Sequence, residues 1–286
     1  MNLLNEKVAK AKPDLLRYTY NMFAKKSLGQ HFLHSEKALS QIIEAGSLTN
    51  TDVVLEIGPG RGVLTERLLK IAGTVIAIEK DGDLIPVLAE RFAAELTSGQ
   101  LILIHQDILA IDIESVTEEL GSYKLIANIP YYITGAIIEK FLSTQHQPTL
   151  MVLLMQKEVA DRIIARDKKQ SILSIAINAY GTPKLIGKVP PGAFVPPPTV
   201  DSGILLIENI SRDFFNDCNE LLFLKVMKTL FGNKRKQIGG TLGEYLGDKI
   251  LAQKILADSG IDIKTRPEDI DLSTWKKLAQ TLGQNT

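Results

Sequence analysis

A chain of 286 residues with 45% hydrophobic and 23% charged side chains has the composition of an ordinary globular protein and material for about two domains. Its single cysteine, Cys218, excludes an intrachain disulfide or a cysteine-cluster zinc site. No apolar run is long enough to span a membrane, and "MNLLNEKVAKAKPDLL" lacks the apolar core of a signal peptide, so a reducing cytoplasm is the expected setting.

Residues 1–23 read as an N-terminal extension. Beyond it, apolar runs alternate with helical patterns. Strands are expected at 53–58, 74–79, 101–107, 124–129 and 149–156, with helices at 61–71, 82–96, 113–120 and 135–143. The strands are apolar on successive residues, as suits strands covered on both faces. This β-then-α order argues for a doubly wound, mostly parallel sheet. Two helical stretches follow, at 156–166 and 171–180. Strands at 183–189 and 203–208 then close the region as an antiparallel edge, with "FVPPPT" between them. From about 211 the spacing is helical and punctuated by glycines. The reading is therefore an α/β domain over 24–209 and a small all-helical domain over 210–286.

Within the first domain, "EIGPGRG" (56–62) follows the first long strand and opens a helix. Gly58, Gly60 and Gly62 permit a tight turn and close approach of a ligand. The spacing is not the G-x-G-x-x-G of a dinucleotide fingerprint, and Pro59 removes a backbone donor that a pyrophosphate would use. Both features point to a nucleoside ligand without phosphates and away from a nucleotide-dependent oxidoreductase. Glu79 ends the next strand, where a carboxylate can accept bonds from ribose hydroxyls, and Asp107 ends the third, placed for an adenine amino group. Glu56, Glu79 and Asp107 could each instead be a helix cap or a solvated strand end. Two acids at successive strand ends after a glycine turn favour the cofactor.

"LIANIPYYI" (125–133) begins as a buried strand and ends in an amide, a proline and two aromatics. In an open parallel sheet, ligands sit at the carboxyl ends of strands where the strand order reverses. The fourth strand would then lie beside the first, so that Asn128 to Tyr131 and the glycine turn face one crevice. An aromatic amine is a weak nucleophile. The Asn128 side-chain oxygen and the Pro130 carbonyl could accept its two N–H bonds and aim its lone pair, while Tyr131 stacks on the base.

The blocks KKSLGQHFL, EIGPGRG, VIAIEKD, QD, NIPYYI and FVPPPTVDS, in this order, resemble the KsgA-type (RsmA subfamily) small-subunit ribosomal RNA adenine dimethyltransferases. The match runs from about Lys25 to the chain's end. The resemblance implies a Rossmann-like class I fold with S-adenosyl-L-methionine as cofactor. His31, Leu33, Gly58, Gly60, Glu79, Asp107 and Asn128 would form the donor site. Asn128, Pro130, Tyr131 and Phe194 would grip the target adenine, Phe194 as a second aromatic wall. It further implies two methyl groups on each of two adjacent adenosines near the 3′ end of small-subunit rRNA, in a late assembly intermediate. No metal or membrane is implied, and a monomer is expected. Gln170-Ser171 departs from the family's usual Tyr-Gly, and His31 stands where many relatives have asparagine.

Charge fits a polyanionic partner without requiring one. Residues 1–37 carry 7 basic and 3 acidic groups, residues 38–150 carry 7 and 15, and residues 151–200 carry 7 and 3. By resemblance, Lys234, Arg235 and Lys236 of "FGNKRKQI" would sit on rRNA phosphates. The basic residues of 1–23 either touch RNA or belong to a fraying end. Alternatives are a large-subunit rRNA adenine methyltransferase of the antibiotic-resistance type, or an assembly factor that has lost catalysis. The "FVPPPTVDS" block and the helical tail favour the small-subunit enzyme, and the intact Glu79, Asp107 and Asn128 argue against lost catalysis.

Overall fold

The computed structural model describes residues 24–165, 169–232 and 236–285, so the N-terminal extension read over 1–23 lies outside them. Residues to Ala160 with Lys184–Ile210 form one compact unit, and Asp161–Pro183 with Ser211–Thr286 form another.

In chain order, the strands are β1 (Phe32–Leu33), β2 (Val53–Ile57), β3 (Thr74–Glu79), β4 (Leu101–His105), β5 (Lys124–Asn128), β6 (Leu150–Gln156), β7 (Thr182–Val189), β8 (Phe194–Val195) and β9 (Ser202–Glu208). Seven of them make one sheet in the order β4-β3-β2-β5-β6-β9-β7. Pairing from β4 through to β6 is parallel, and β9 runs antiparallel to β6. The chain builds outward from β2 to β4, then returns to lay β5 on the other side of β2. The strand order therefore reverses between β2 and β5, where Leu55 is level with Leu125.

Helices on both faces bury the central strands, which is why these run apolar without alternation: Leu125, Ile126 and Ala127 of β5 are all fully buried. The helix Glu36–Gly46 is not among the elements expected from sequence. Ser35 caps it by accepting from the Ala38 amide, and Leu39 and Ile42 enter the core. A side chain at Gly46 would stand 2.7 Å from Ile126 Cδ1, so the glycine lets this helix end close against the sheet.

The second unit packs the helices Ile172–Tyr180, Glu220–Phe231, Ile238–Leu246, Lys249–Asp258 and Leu272–Asn285 around their own core. Trp275 lies at its centre, stacked on Phe231 at 5.5 Å. The helix Ile172–Tyr180 contributes Ile175 and Ala179 to this core, although its sequence position precedes β7. Gln170-Ser171 is accommodated there through its own bonds. Ser171 and Ser174 form a reciprocal capping box, the Gln170 amide donates to the Glu268 carbonyl at 2.8 Å, and Ser174 Oγ donates to Gln170 Oε1 at 3.0 Å. Ser171→Ala is expected to cost about 1 kcal/mol of stability, read by urea denaturation.

Candidate active site

The turn after β2 sets the geometry. Gly60 and Gly62 have φ of 59° and 77°, a region that side chains with a Cβ rarely adopt, and a Cβ at Gly62 would also lie 2.5 Å from the Phe92 ring. The turn closes through the Gly62 amide on the Pro59 carbonyl at 2.8 Å and leads into the helix Val63–Leu69. It also faces Glu79. The Gly60 amide donates to Glu79 Oε2 at 3.1 Å and the Asp81 amide to Oε1 at 2.8 Å. Burial still holds the Glu79 carboxyl above its ordinary pKa, against these two backbone donors.

Glu56, two residues before the turn, is 1% exposed, and its Oε2 has no hydrogen-bond partner within the protein. Burial pushes its pKa up to about 8, with the nearby Glu79 charge adding to the effect. Asp107, by contrast, sits below its ordinary value, because Lys80 pairs with it at 2.8 Å and the Leu109 amide donates to it at 2.9 Å.

Across the switch point, Asn128 Nδ2 donates to the His31 carbonyl at 3.3 Å. A carbonyl can be met only by the NH₂ side of an amide, so this bond fixes the orientation and leaves Oδ1 as the acceptor. The Pro130 carbonyl accepts from the Ile133 amide at 3.2 Å in a single 3-10 turn, which uses one of its two lone pairs. The Tyr131 hydroxyl is hydrogen-bonded to Ser202 Oγ at 2.7 Å, and its ring lies nearly parallel to the His31 ring, with centroids 5.9 Å apart. His31 Nδ1 donates to the Pro196 carbonyl at 2.8 Å.

The block containing His31 is brought to the site by two features. β1 pairs antiparallel with β8, setting Phe32 level with Val195 and Leu33 level with Phe194. The loop before β1 is held to the end of β3: Lys25 Nζ bonds Asp81 Oδ1 at 2.5 Å and Gln30 Nε2 bonds Asp81 Oδ2 at 2.7 Å. Burial raises the pKa of Asp81, but these bonds outweigh it and hold the carboxyl below its ordinary value.

Together these groups enclose a cleft of about 1180 Å³, counting the solvent at its open mouth. His31, Leu33, Gly58, Gly60, Glu79 and Asp107, expected at a donor site, all line it, as do Asn128, Pro130 and Tyr131. Phe194 does not. It is 2% exposed, packs with the hydrophobic core and stands level with Leu33. Lys236 belongs to the helical unit, well exposed and 3.6 Å from Glu244; Lys234 and Arg235 fall outside the described residues. Sequence reasoning passed over Ser202 and the Lys25–Asp81 link, and left Glu56 as a cap or solvated strand end. The signal for Glu56 was an acid inside the apolar run "VVLEI".

A Rossmann-like sheet with a glycine turn at its switch point, an acid ending the next strand and an amide across the crevice defines a class I S-adenosyl-L-methionine-dependent methyltransferase. The donor set fits that cofactor: the buried Glu56, with one carboxyl oxygen unpartnered, and the buried Glu79 suit a ligand carrying positive charge. The sequence profile of the ribosomal RNA adenine dimethylase family matches residues 21–283. Ribosomal RNA small subunit methyltransferase A of Dehalococcoides mccartyi is 42% identical over 267 residues, covering 93% of this chain and 91% of that protein. The Clostridium botulinum protein of the same name is 36% identical, covering 92% and 95%. Among solved structures, a dimethyladenosine transferase from Plasmodium falciparum aligns with a TM-score of 0.75 at 25% identity, over 89% of this chain and 98% of that one. The 23S rRNA methyltransferase ErmE aligns at 0.69 and 22% identity, over 88% and 100%, and shares the fold. The chain belongs to the ribosomal RNA adenine dimethylase family. It is accordingly a methyltransferase that draws on S-adenosyl-L-methionine and takes ribosomal RNA as substrate.

Glu56 yields a pH prediction. Below about pH 8 its carboxyl is protonated in the free protein, and a cationic ligand favours the ionised form. Donor affinity should therefore rise with pH towards about 8 and then level off. At pH 7, calorimetry in buffers of differing ionisation enthalpy should show proton release on donor binding that Glu56→Gln reduces.

Proposed function

We propose that this chain places two methyl groups on the 6-amino group of each of two adjacent adenosines near the 3′ end of small-subunit rRNA. The substrate is a late, pre-assembled small subunit in the cytoplasm, and the enzyme acts as a monomer. The observation that carries this reading is Asn128: its amide is fixed by the His31 carbonyl, and it shares one cleft with the glycine turn and Glu79. The small-subunit target is favoured over a large-subunit one by relatives at 36–42% identity that are named for the small subunit.

In this reading the donor is held by His31, Leu33, Gly58, Gly60, Glu79, Asp107 and Asn128. When bound, S-adenosyl-L-methionine supplies an electrophilic methyl group on a cationic sulfur. The protein's part is to prepare the nucleophile. Asn128 Oδ1 and the remaining lone pair of the Pro130 carbonyl accept the two N–H bonds of the adenine amine, drawing its lone pair out of conjugation. Tyr131, anchored at Ser202, offers its ring to the flipped base. Both acceptors strengthen as positive charge grows on the nitrogen, which is where preorganised dipoles act most strongly. The proton becomes acidic after transfer and leaves to solvent without a dedicated base. Phe194, level with the donor-site residue Leu33, serves in this reading as the second aromatic wall of the adenine pocket.

The α/β domain over 24–209 carries the chemistry, and the helical domain over 210–286 presents Lys234, Arg235 and Lys236 to rRNA phosphates. Such contacts add salt-dependent affinity without reading sequence.

Modified nucleotides mapped on unmethylated small subunits, with large subunits as control, should show dimethyladenosine at two adjacent positions of the small-subunit RNA alone. Methylation confined to large subunits would overturn the assignment. Asn128→Ala should abolish incorporation of label from tritiated donor while calorimetry shows donor binding reduced much less.

A further inference from the structure

Tyr131 and Tyr132 occupy the same 3-10 turn and meet different surroundings. Tyr131 is half-buried and tied to Ser202, whereas Tyr132 lines the same cleft with 63% of its surface exposed. The Tyr132 ring is nevertheless backed by backbone. A Cβ built at Gly29 would come within 3.2 Å of ring Cε1 and 3.7 Å of Pro130 Cβ, and Gly29 has a φ of +61°. Gly29 belongs to the loop that Lys25 and Gln30 fasten to Asp81, so the support behind the ring is itself held in place.

An aromatic ring that lies close to the backbone at Gly29 and is largely open to solvent in the cleft is a poor core element and a good stacking surface. The proposed reaction creates a partner for it. Drawing one adenosine into the cleft breaks its stacking with the next nucleotide, and that neighbour then needs another flat surface.

We propose that Tyr132 is the stacking platform for the nucleobase adjoining the target adenosine. The inference rests on the rRNA reading above. Because the two target adenosines are adjacent, the base on the platform is an adenine whenever its neighbour occupies the cleft in the corresponding register. A purine offers more stacking area than a pyrimidine, so the platform makes the enzyme sensitive to the neighbour's identity as well as the target's.

The test uses unmethylated small subunits reconstituted with rRNA carrying either the natural pair of adenosines or a uridine in place of the one next to the target. The wild-type protein should show a higher KM on the uridine subunits. Tyr132→Ala should raise KM on natural subunits by about 5- to 100-fold, the range expected for losing one stacked base. It should also show no difference between the two substrates, because the discriminating surface is gone. Tyr132→Phe, which keeps the ring, should restore the wild-type ratio, and donor Kd by calorimetry should be equal for all three proteins. The proposal is overturned if Tyr132→Ala retains the wild-type ratio of KM values, or if its donor Kd worsens in step with KM. Absence of methylation by the wild-type protein on natural subunits would instead overturn the rRNA reading, and this inference with it.

Discussion

The parallel pairing of β2 with β5 is the constraint on which the site depends. Only a few residues are paired, Val54 with Lys124 and Leu55 with Leu125, yet this fixes the height at which both strands end. Strand ends in one crevice bring together groups 70 residues apart in sequence: a turn that receives one ligand and an amide that receives another. Shifting the pairing by one residue would turn every β5 side chain to the opposite face of the sheet. Burial of Leu125, Ile126 and Ala127 on both faces makes such a slip costly.

The electrostatics follow from that placement. β2 carries a carboxylate one residue before its end and β3 ends in one, and their register sets Glu56 level with Ala77, two residues before Glu79. Two acids in so dry a place repel each other. Backbone amides of Gly60 and Asp81 compensate one of them, and the other keeps its proton. Burial favours the protonated form of Glu56, and a cation beside it would favour the ionised one. Asp81, on the far side of Glu79, turns the same local excess of acid to another use, fastening the loop that carries His31.

Much of this was legible in the residues because local chemistry and overall topology agreed. Successive apolar residues gave the parallel strands, and glycines and acids at strand ends gave the cleft. The unread parts share a physical cause: they depend on contacts between distant segments. The strands β1 and β8 are two residues each, too short for any periodicity. The link from Lys25 to Asp81 spans 56 residues and consists of charges that look like ordinary surface. The pairing that sets Phe194 level with Leu33 joins segments 161 residues apart, beyond the reach of any local pattern. The helix Glu36–Gly46 was not expected, although its Ser35 cap and apolar spacing are ordinary.

The short ladder between β1 and β8 has a consequence for biosynthesis. His31 finds the Pro196 carbonyl, and Tyr131 finds the Ser202 hydroxyl, only when a segment made more than 160 residues after His31 has emerged. A nascent chain that has already wound its early strands therefore has a cleft with one wall unfinished. Maturation of the catalytic wall waits for β9, the last strand made, to take its place between β6 and the edge strand β7.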